Sequence, residues 1–109
     1  MCSSDLDFAE LDRAIVEGEG ATAGFCKVVT RPNGKILGAT IVGRGAGELI
    51  MELVLAMRLR LPLPRLARFI HPYPTMSEIV SRTAAEWYRR KYTGTRAGRL
   101  VQRLVRWWL

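Results

Sequence analysis

The sequence has only two cysteines, Cys2 and Cys26, and they lie far apart in the chain. Two isolated cysteines do not form a metal-binding or redox motif. The chain also has no apolar run long enough to cross a bilayer, and it has no signal-peptide pattern. A reduced, cytoplasmic setting is therefore the default expectation.

The sequence also lacks the motifs that bind dinucleotides or carry out redox chemistry. It has no Gly-x-Gly-x-x-Gly fingerprint and no Cys-x4-Cys pair. Gly43, Gly45 and Gly47 form a glycine-rich connection, but their spacing fits neither that fingerprint nor a P-loop. We therefore expect that the isolated chain is not catalytic, that it binds no cofactor alone and that it has no metal site.

Basic residues outnumber acidic ones by 17 to 10, which gives a net charge of +7, and the excess is concentrated at the end of the chain. The first twenty residues are acidic, whereas the last thirty carry many arginines and one opposing carboxylate, Glu86. The positive charge is therefore a property of the C-terminal tail rather than of the whole surface. The 109 residues fit a single domain.

Two strands and a turn are predicted in the first half of the chain. Residues 24 to 30 and 35 to 42 are rich in β-branched and apolar side chains. Between them, Arg31-Pro32-Asn33-Gly34 is a strong turn sequence, because proline presets one central position and Asn-Gly tolerates positive φ. These elements predict an antiparallel hairpin. Only one or two helical turns are predicted in residues 1 to 20, from apolar residues at helical spacing.

Helices are predicted for most of the second half. Residues 46 to 58 have an apolar stripe made of Ala46, Leu49, Ile50, Leu53, Val54 and Met57. A short helix is predicted from Pro64 to about Phe69, and a longer one, whose inward stripe begins at Met76, is predicted to run to about Lys91. Thr75 and Glu78 have the spacing of a capping box for that longer helix. The fold expected is α+β, with a small antiparallel sheet covered by helices on one side.

A basic amphipathic helix is predicted from Ala97 to Leu109, and three interpretations of it remain open. It can fold back onto the domain, lie on an anionic membrane surface through residues 96 to 109, or bind nucleic acid. Nucleic acid is the least favoured partner, since no recognisable nucleic-acid motif accompanies the arginines. This segment, 93–109, is treated as separate from residues 1–92.

Residues 71 to 78, His-Pro-Tyr-Pro-Thr-Met-Ser-Glu, are the most informative stretch. Tyr73-Pro74-Thr75 followed by Glu78 resembles the C-terminal signature of the pyridine nucleotide-disulfide oxidoreductases. Three further stretches resemble that family in the same order along the chain, and they are residues 24–28, 35–43 and 46–50. The resemblance extends from about Asp12 to Tyr92, and it identifies residues 1–92 as a partial dimerisation domain.

The resemblance implies a homodimer in which this segment reaches the partner subunit and completes its flavin site. It implies FAD and NAD(P) in a parent enzyme, bound by domains that precede this one. The family domain begins some distance before the position of Met1, so we expect an N-terminally truncated fragment whose first strand or two are missing. The alternative is a free-standing, non-enzymatic dimerisation module with a tail that binds membrane surfaces.

The resemblance also assigns candidate site residues. In glutathione reductase-like and lipoamide dehydrogenase-like members, a histidine stands where this chain has Tyr73, and it pairs with the glutamate at the position of Glu78. Tyrosine at this position is similar to the mercuric reductase-like branch. A phenol with an ordinary pKa near 10 donates a hydrogen bond but is a poor base at neutral pH. Reduction of a metal ion, a quinone or another acceptor is therefore favoured over disulfide reduction.

The candidate catalytic residues are thus Tyr73, Glu78 and His71, and the candidate cofactor-binding residues are Tyr73, Pro74 and Thr75. His71 is either a loop histidine bonded to the backbone or an acid–base group. Tyr73 either packs locally or faces the partner's flavin, and Glu78 caps a helix, with or without a second role. The resemblance further implies a cis bond between Tyr73 and Pro74.

Overall fold

The computed structural model describes residues 2–93 together with Leu100, Arg103 and Leu104. Residues 2–93 contain three strands, five α-helices and one 3₁₀ turn. In chain order these elements are β1 (Cys2–Asp7), the 3₁₀ turn (Phe8–Glu10), α1 (Asp12–Glu17), α2 (Glu19–Thr22), β2 (Phe25–Thr30), β3 (Ile36–Val42), α3 (Ala46–Arg58), α4 (Leu63–Leu66) and α5 (Glu78–Thr93).

The sheet is antiparallel, and its strand order is β1-β2-β3. Alternate residues of β2 are buried, namely Cys26, Val28 and Thr30, because one face of the sheet is covered by α3 and α5. The register places Leu6 of β1 opposite Cys26. The expected α+β architecture, with a small antiparallel sheet and helices on one side, is confirmed.

The β2–β3 hairpin is confirmed, and its turn contains the predicted residues. The Arg31 amide donates to the Lys35 carbonyl at 2.9 Å, and the Gly34 amide donates to the Arg31 carbonyl at 2.9 Å. Gly34 has a φ of 91°, which favours glycine. The Asn33 side chain also accepts a hydrogen bond from the Lys35 amide at 3.1 Å. The turn chemistry therefore fixes the register of the two strands.

Strand β1 is the main difference from the sequence-based prediction, which gave no strand in residues 1 to 20. The one or two helical turns predicted there correspond to the 3₁₀ turn and α1. Residues 2 to 7 read Cys-Ser-Ser-Asp-Leu-Asp and have little intrinsic preference for a strand. They become extended because they pair along the whole length of β2, and this pairing buries Ser4 and Leu6. Tertiary pairing, rather than local propensity, forms this strand.

The core lies between the covered face of the sheet and the helices. Its apolar members come from every layer, and they include Leu6, Phe8, Leu11, Cys26, Val28, Leu53, Leu63, Leu66, Ile79, Val80 and Trp87. The indole nitrogen of Trp87 donates to the hydroxyl of the buried Thr30 at 3.2 Å. This bond satisfies two polar groups in the core and fastens α5 to β2.

Helix α3 has the predicted bounds and ends in an unusual way. The Leu61 amide donates to the Ala56 carbonyl at 2.8 Å, and the Arg60 amide donates to the Met57 carbonyl at 3.2 Å. This pair of bonds is a Schellman motif, which places Arg60 in the left-handed region with a φ of 56°. Glycine usually occupies this position, and any other residue costs roughly 1 kcal/mol there.

Two other predicted helices differ in detail. The helix after Leu61 spans Leu63–Leu66 rather than reaching Phe69, and α5 continues to Thr93. The predicted C-terminal helix lies outside the described residues, apart from Leu100, Arg103 and Leu104, which are helical and exposed. Among the helices of the described part, none has the length and apolar character that crossing a membrane requires.

Candidate functional site

The signature residues form a loop that joins α4 to α5 and is held by its own hydroxyl groups. The Thr75 hydroxyl donates to the Pro72 carbonyl at 2.7 Å and lies 2.9 Å from the Ser77 hydroxyl. These are the partners of Thr75 within the described residues, so it does not form the predicted capping box with Glu78. The bond between Tyr73 and Pro74 is cis, as expected.

His71 connects this loop to α3. Its Nε2 atom lies 2.9 Å and 3.0 Å from the two carboxylate oxygens of Glu52, and its Nδ1 atom lies 3.1 Å from the Phe69 carbonyl oxygen. The side chain of His71 is only 11% exposed, and that of Glu52 is 25% exposed. Both ring nitrogens are engaged within the chain, so in this conformation neither is presented to a partner.

Tyr73 projects from the loop and is 69% exposed. Its hydroxyl donates to the Oδ2 atom of Asp12, the first residue of α1. That hydrogen bond and the negative charge of Asp12 raise the pKa of Tyr73 above its ordinary value, and the charge of Glu78 adds a smaller effect in the same direction. The phenol is therefore protonated at neutral pH, where it acts as a hydrogen-bond donor and not as a base.

The candidate residues are brought to the same end of α5, but they do not form one hydrogen-bonded set. Glu78 starts α5 and is close enough to Tyr73 to affect its titration, whereas the Tyr73 hydroxyl is bonded to Asp12. His71 points to Glu52. Pro74 is exposed and Thr75 is partly buried beside Tyr73.

Sequence reasoning missed two residues of this site, Asp12 and Glu52. Asp12 is 61 positions from Tyr73, and Glu52 is 19 positions from His71. No motif links either pair, because the contacts exist only after α1 and α3 have packed against the rest of the domain. An acidic residue on the flank of an apolar helix was the single available signal for Glu52.

Cys26 is not a candidate nucleophile. It is fully buried on β2, and burial raises the pKa of its thiol, while a hydrogen bond with Thr83 acts in the opposite direction. A thiol in this environment stays protonated and packs as a small apolar group, as its position on a strand predicts.

Next to the loop, the side of α3 that faces away from the core is apolar and exposed. Met51 is 57% exposed and Leu55 is 59% exposed, and Val54 lies beside them. Leu53 and Ala56, on the opposite side of the helix, are 1% exposed. We call the group of Met51, Val54 and Leu55 the outer side of α3. Within the described residues this apolar surface is not covered.

Comparison with known proteins gives the context of this arrangement. A model of the family described as "Pyridine nucleotide-disulphide oxidoreductase, dimerisation domain" matches residues 3–84. Most of the described part of the chain therefore corresponds to that domain, from the second residue of β1 to the first seven residues of α5.

The chain is similar to several dihydrolipoyl dehydrogenases. It is 44% identical over 68 residues to the enzyme from Corynebacterium glutamicum, covering 62% of this chain and 14% of that protein. It is 38% identical over 79 residues to the enzyme from Mycoplasma pneumoniae, covering 72% of this chain and 17% of that protein. The chain thus spans between one-seventh and about one-sixth of the length of these relatives.

A solved structure supports the same relationship. The crystal structure of LpdA from Mycobacterium tuberculosis superimposes with a TM-score of 0.70 at 26% identity, covering 78% of this chain and 18% of that one. These similarities favour an oxidoreductase domain over the alternative of a free-standing, non-enzymatic module.

Proposed function

Because this chain belongs to the family of pyridine nucleotide-disulphide oxidoreductase dimerisation domains, we propose that it forms the homodimer interface of an FAD-dependent NAD(P)H oxidoreductase. In the same proposal, its signature loop completes the flavin site of the partner subunit. The observation that carries the proposal is the connection of the loop to α3: the His71–Glu52 bond joins an exposed apolar helix surface to the segment that presents Tyr73.

The outer side of α3 is the proposed contact with the second subunit. Apolar side chains on adjacent turns of a helix present a continuous surface, and covering that surface is favourable by about 25 cal/mol per Å². In a two-fold dimer the same patch meets itself, so a single apolar stripe is sufficient for a self-complementary contact. This explains why α3 is apolar on both sides although only one side faces its own core.

Tyr73 is the proposed contact with the partner's flavin, and Pro74 and Thr75 set its position. A flavin bound there would supply the hydride and electron transfer chemistry. This chain supplies a neutral phenol on an exposed loop, where it is accessible to a flavin bound by the partner subunit. Released from Asp12, the protonated phenol donates a hydrogen bond to the acceptor or orients it. We therefore favour an acceptor other than a disulfide.

Two finer elements belong to the same proposal. The flavin and the nicotinamide are held by the FAD and NAD(P) domains of the parent enzyme, since the sequence of this chain has no dinucleotide fingerprint. The enzyme acts in the cytoplasm, in agreement with its two isolated thiols. Glu78 and His71 are proposed to support the loop, because His71 is already bonded to Glu52 and the phenol to Asp12.

The test is the oligomeric state of Leu55→Asp, measured by sedimentation equilibrium over a range of concentrations. A carboxylate at the centre of the outer side of α3 should weaken the dimer at least about a hundredfold, because burying an unpaired charge is costly. The matched control is Ile15→Asp, since Ile15 is 58% exposed on α1. The control should leave the dimer unchanged.

Leu53 is not a suitable position for this test, although it belongs to the apolar stripe predicted from the sequence. It is 1% exposed within its own subunit, so an aspartate there would unfold the domain before it affected association. If Leu55→Asp remained folded by circular dichroism and associated as tightly as the unaltered chain, the outer side of α3 would not be the interface.

A further inference from the structure

One end of the molecule is formed by the β2–β3 turn and the connection between α3 and α4. The Leu63 amide donates to the Gly34 carbonyl at 2.9 Å, and the rings of Pro62 and Pro64 pack against Gly34. Two segments that are distant in sequence therefore form one surface. The sequence contains no aspartate or glutamate from residue 20 to 47 or from residue 53 to 77. Neither segment therefore has a carboxylate that could neutralise the positive charges of the other.

This surface, which we call the basic end, carries four cationic side chains: Arg31, Lys35, Arg60 and Arg65. All four side chains are exposed, and within the described part of the chain none of them has a hydrogen-bond or ion-pair partner. By contrast, Arg13 pairs with Glu17 at 2.7 Å, and Arg89 pairs with Glu86 at 3.2 Å. The basic end therefore has a positive field that its own subunit does not compensate.

Arg60 provides a second, independent observation. Its backbone is in the left-handed region at a φ of 56°, where glycine would remove the strain. The side chain makes no contact that would offset the strain, because it is exposed and unpaired within the described residues. Strained residues of this kind occur preferentially where a side chain serves binding or catalysis. The Arg60 guanidinium is thus held at the surface at a cost to stability.

We propose that the basic end binds an acidic peptide segment of a partner protein. Carboxylates of the segment pair with Arg31, Lys35, Arg60 and Arg65, since guanidinium groups bind carboxylates with two hydrogen bonds. An apolar side chain of the segment packs on Leu59, which is 61% exposed next to Arg60. Arginine is enriched at protein interfaces.

The chemistry of this surface favours a peptide over a nucleic acid. Single-stranded nucleic acids bind through bases that stack on aromatic side chains. The sequence has no aromatic residue between Phe25 and Phe69, so neither segment of the basic end offers a stacking surface. An acidic peptide binds through ion pairs between its carboxylates and cationic side chains, and the basic end has such side chains.

The experiment measures binding of the 109-residue chain to a short fluorescein-labelled peptide of repeated Glu-Glu-Leu, by fluorescence anisotropy at low and moderate salt. The variant is Arg31→Gln/Lys35→Gln/Arg65→Gln, and its matched control is Arg13→Gln/Lys27→Gln/Arg89→Gln, which removes the same charge elsewhere. We expect the variant to weaken binding about tenfold and the control less than about twofold. Both carry the same C-terminal tail, so the tail contributes equally.

Arg60→Gly separates function from stability. It should raise the melting temperature by about 4 °C, because the strain is removed. It should also weaken peptide binding about threefold, because one ion pair is lost. Equal weakening by the two triple variants would overturn the proposal, and so would unchanged peptide binding by Arg60→Gly. Tighter binding of a labelled single-stranded DNA, lost in the Arg31→Gln/Lys35→Gln/Arg65→Gln variant, would also overturn it.

Discussion

The two sides of α3 are alike in composition but differ in what covers them. Leu53 and Ala56 pack against the sheet and the other helices of the same subunit, and each is 1% exposed. Met51 and Leu55, on the opposite side, are more than half exposed. The sequence of this helix is apolar almost all round, which is typical of a helix buried on every side. Here one side is buried by the subunit itself.

Apolar periodicity therefore indicates that a helix surface is covered, but it does not indicate which chain covers it. Residues 46 to 58 predict one stripe of six residues, yet in the structure Leu53 of that stripe is buried while Val54 and Met57 are exposed. The boundary between core and interface is set by where the sheet and α5 lie. Substitutions on the two sides should therefore have opposite consequences for stability and for association.

The largest effect is expected from Leu53→Ala. It should lower the free energy of unfolding by about 2–5 kcal/mol, because it removes buried methyl groups and leaves a cavity in the core. The measurement is urea denaturation followed by tryptophan fluorescence, in dilute protein so that monomer unfolding is observed. Leu55→Ala removes the same atoms from the outer side and should change the value by less than about 0.5 kcal/mol.

A comparable loss of unfolding free energy in Leu53→Ala and Leu55→Ala would contradict the assignment of Leu53 to the core side and Leu55 to the outer side of α3. It would mean that Leu55 is covered within its own subunit, and the proposed interface would have to lie elsewhere. If only Leu55→Ala weakened the dimer, the two sides would have separate roles. Leu53 would then contribute to folding and Leu55 to association.

Much of the fold could be predicted because local sequence and tertiary packing agree there. The hairpin follows from Pro32-Asn33-Gly34 between two β-rich runs, and α3 follows from its apolar spacing. Strand β1 could not be predicted, because its six residues are mostly polar and become a strand only by pairing with β2. The left-handed Arg60 was also unpredictable, since glycine is the usual signal for that position.

The site was predicted only as far as a continuous motif extends. Residues 71 to 78 lie together in sequence, so the loop and its cis bond were expected from the family resemblance. The carboxylates of Glu52 and Asp12 come from other elements, and their pairing with His71 and Tyr73 depends on how those elements pack. Contacts between residues that are distant in the chain produce no recognisable pattern in a single sequence.

A smaller effect is expected on the flank between the two sides of α3, where Glu52 binds His71. Glu52→Ala leaves the Nε2 atom of a mostly buried histidine without a partner, which should lower the free energy of unfolding by about 1–3 kcal/mol. Glu48→Ala is the matched control, because Glu48 lies one turn earlier on α3 and is exposed. It should change the value by less than about 0.5 kcal/mol.

A double-mutant cycle with His71→Ala isolates the pair. If Glu52 acts through His71, Glu52→Ala should cost little once His71 is absent, and the coupling should be about 1 kcal/mol or more. Additive losses would show that Glu52 stabilises α3 by some other contact, and the loop would then not be fastened to the interface helix.

The smallest effect is expected at Tyr73, which is exposed and far from the core. Because its pKa in the folded chain is raised by Asp12, the folded state holds this proton more tightly than the unfolded state does. The resulting stabilisation is complete below pH 10 and is lost as the pH rises through the folded pKa. The difference in unfolding free energy between the unaltered chain and Tyr73→Phe should therefore decrease above pH 10.

Absorbance of tyrosinate in the ultraviolet identifies the cause of this pH dependence. Subtracting the titration of Tyr73→Phe from that of the unaltered chain isolates Tyr73 from Tyr88 and Tyr92. In Asp12→Asn the same difference curve should move to lower pH, because the negative charge and the charged acceptor are both lost. An unmoved curve would show that Asp12 does not hold the phenol, and Tyr73 would then be free to face a second subunit without first breaking a bond within its own.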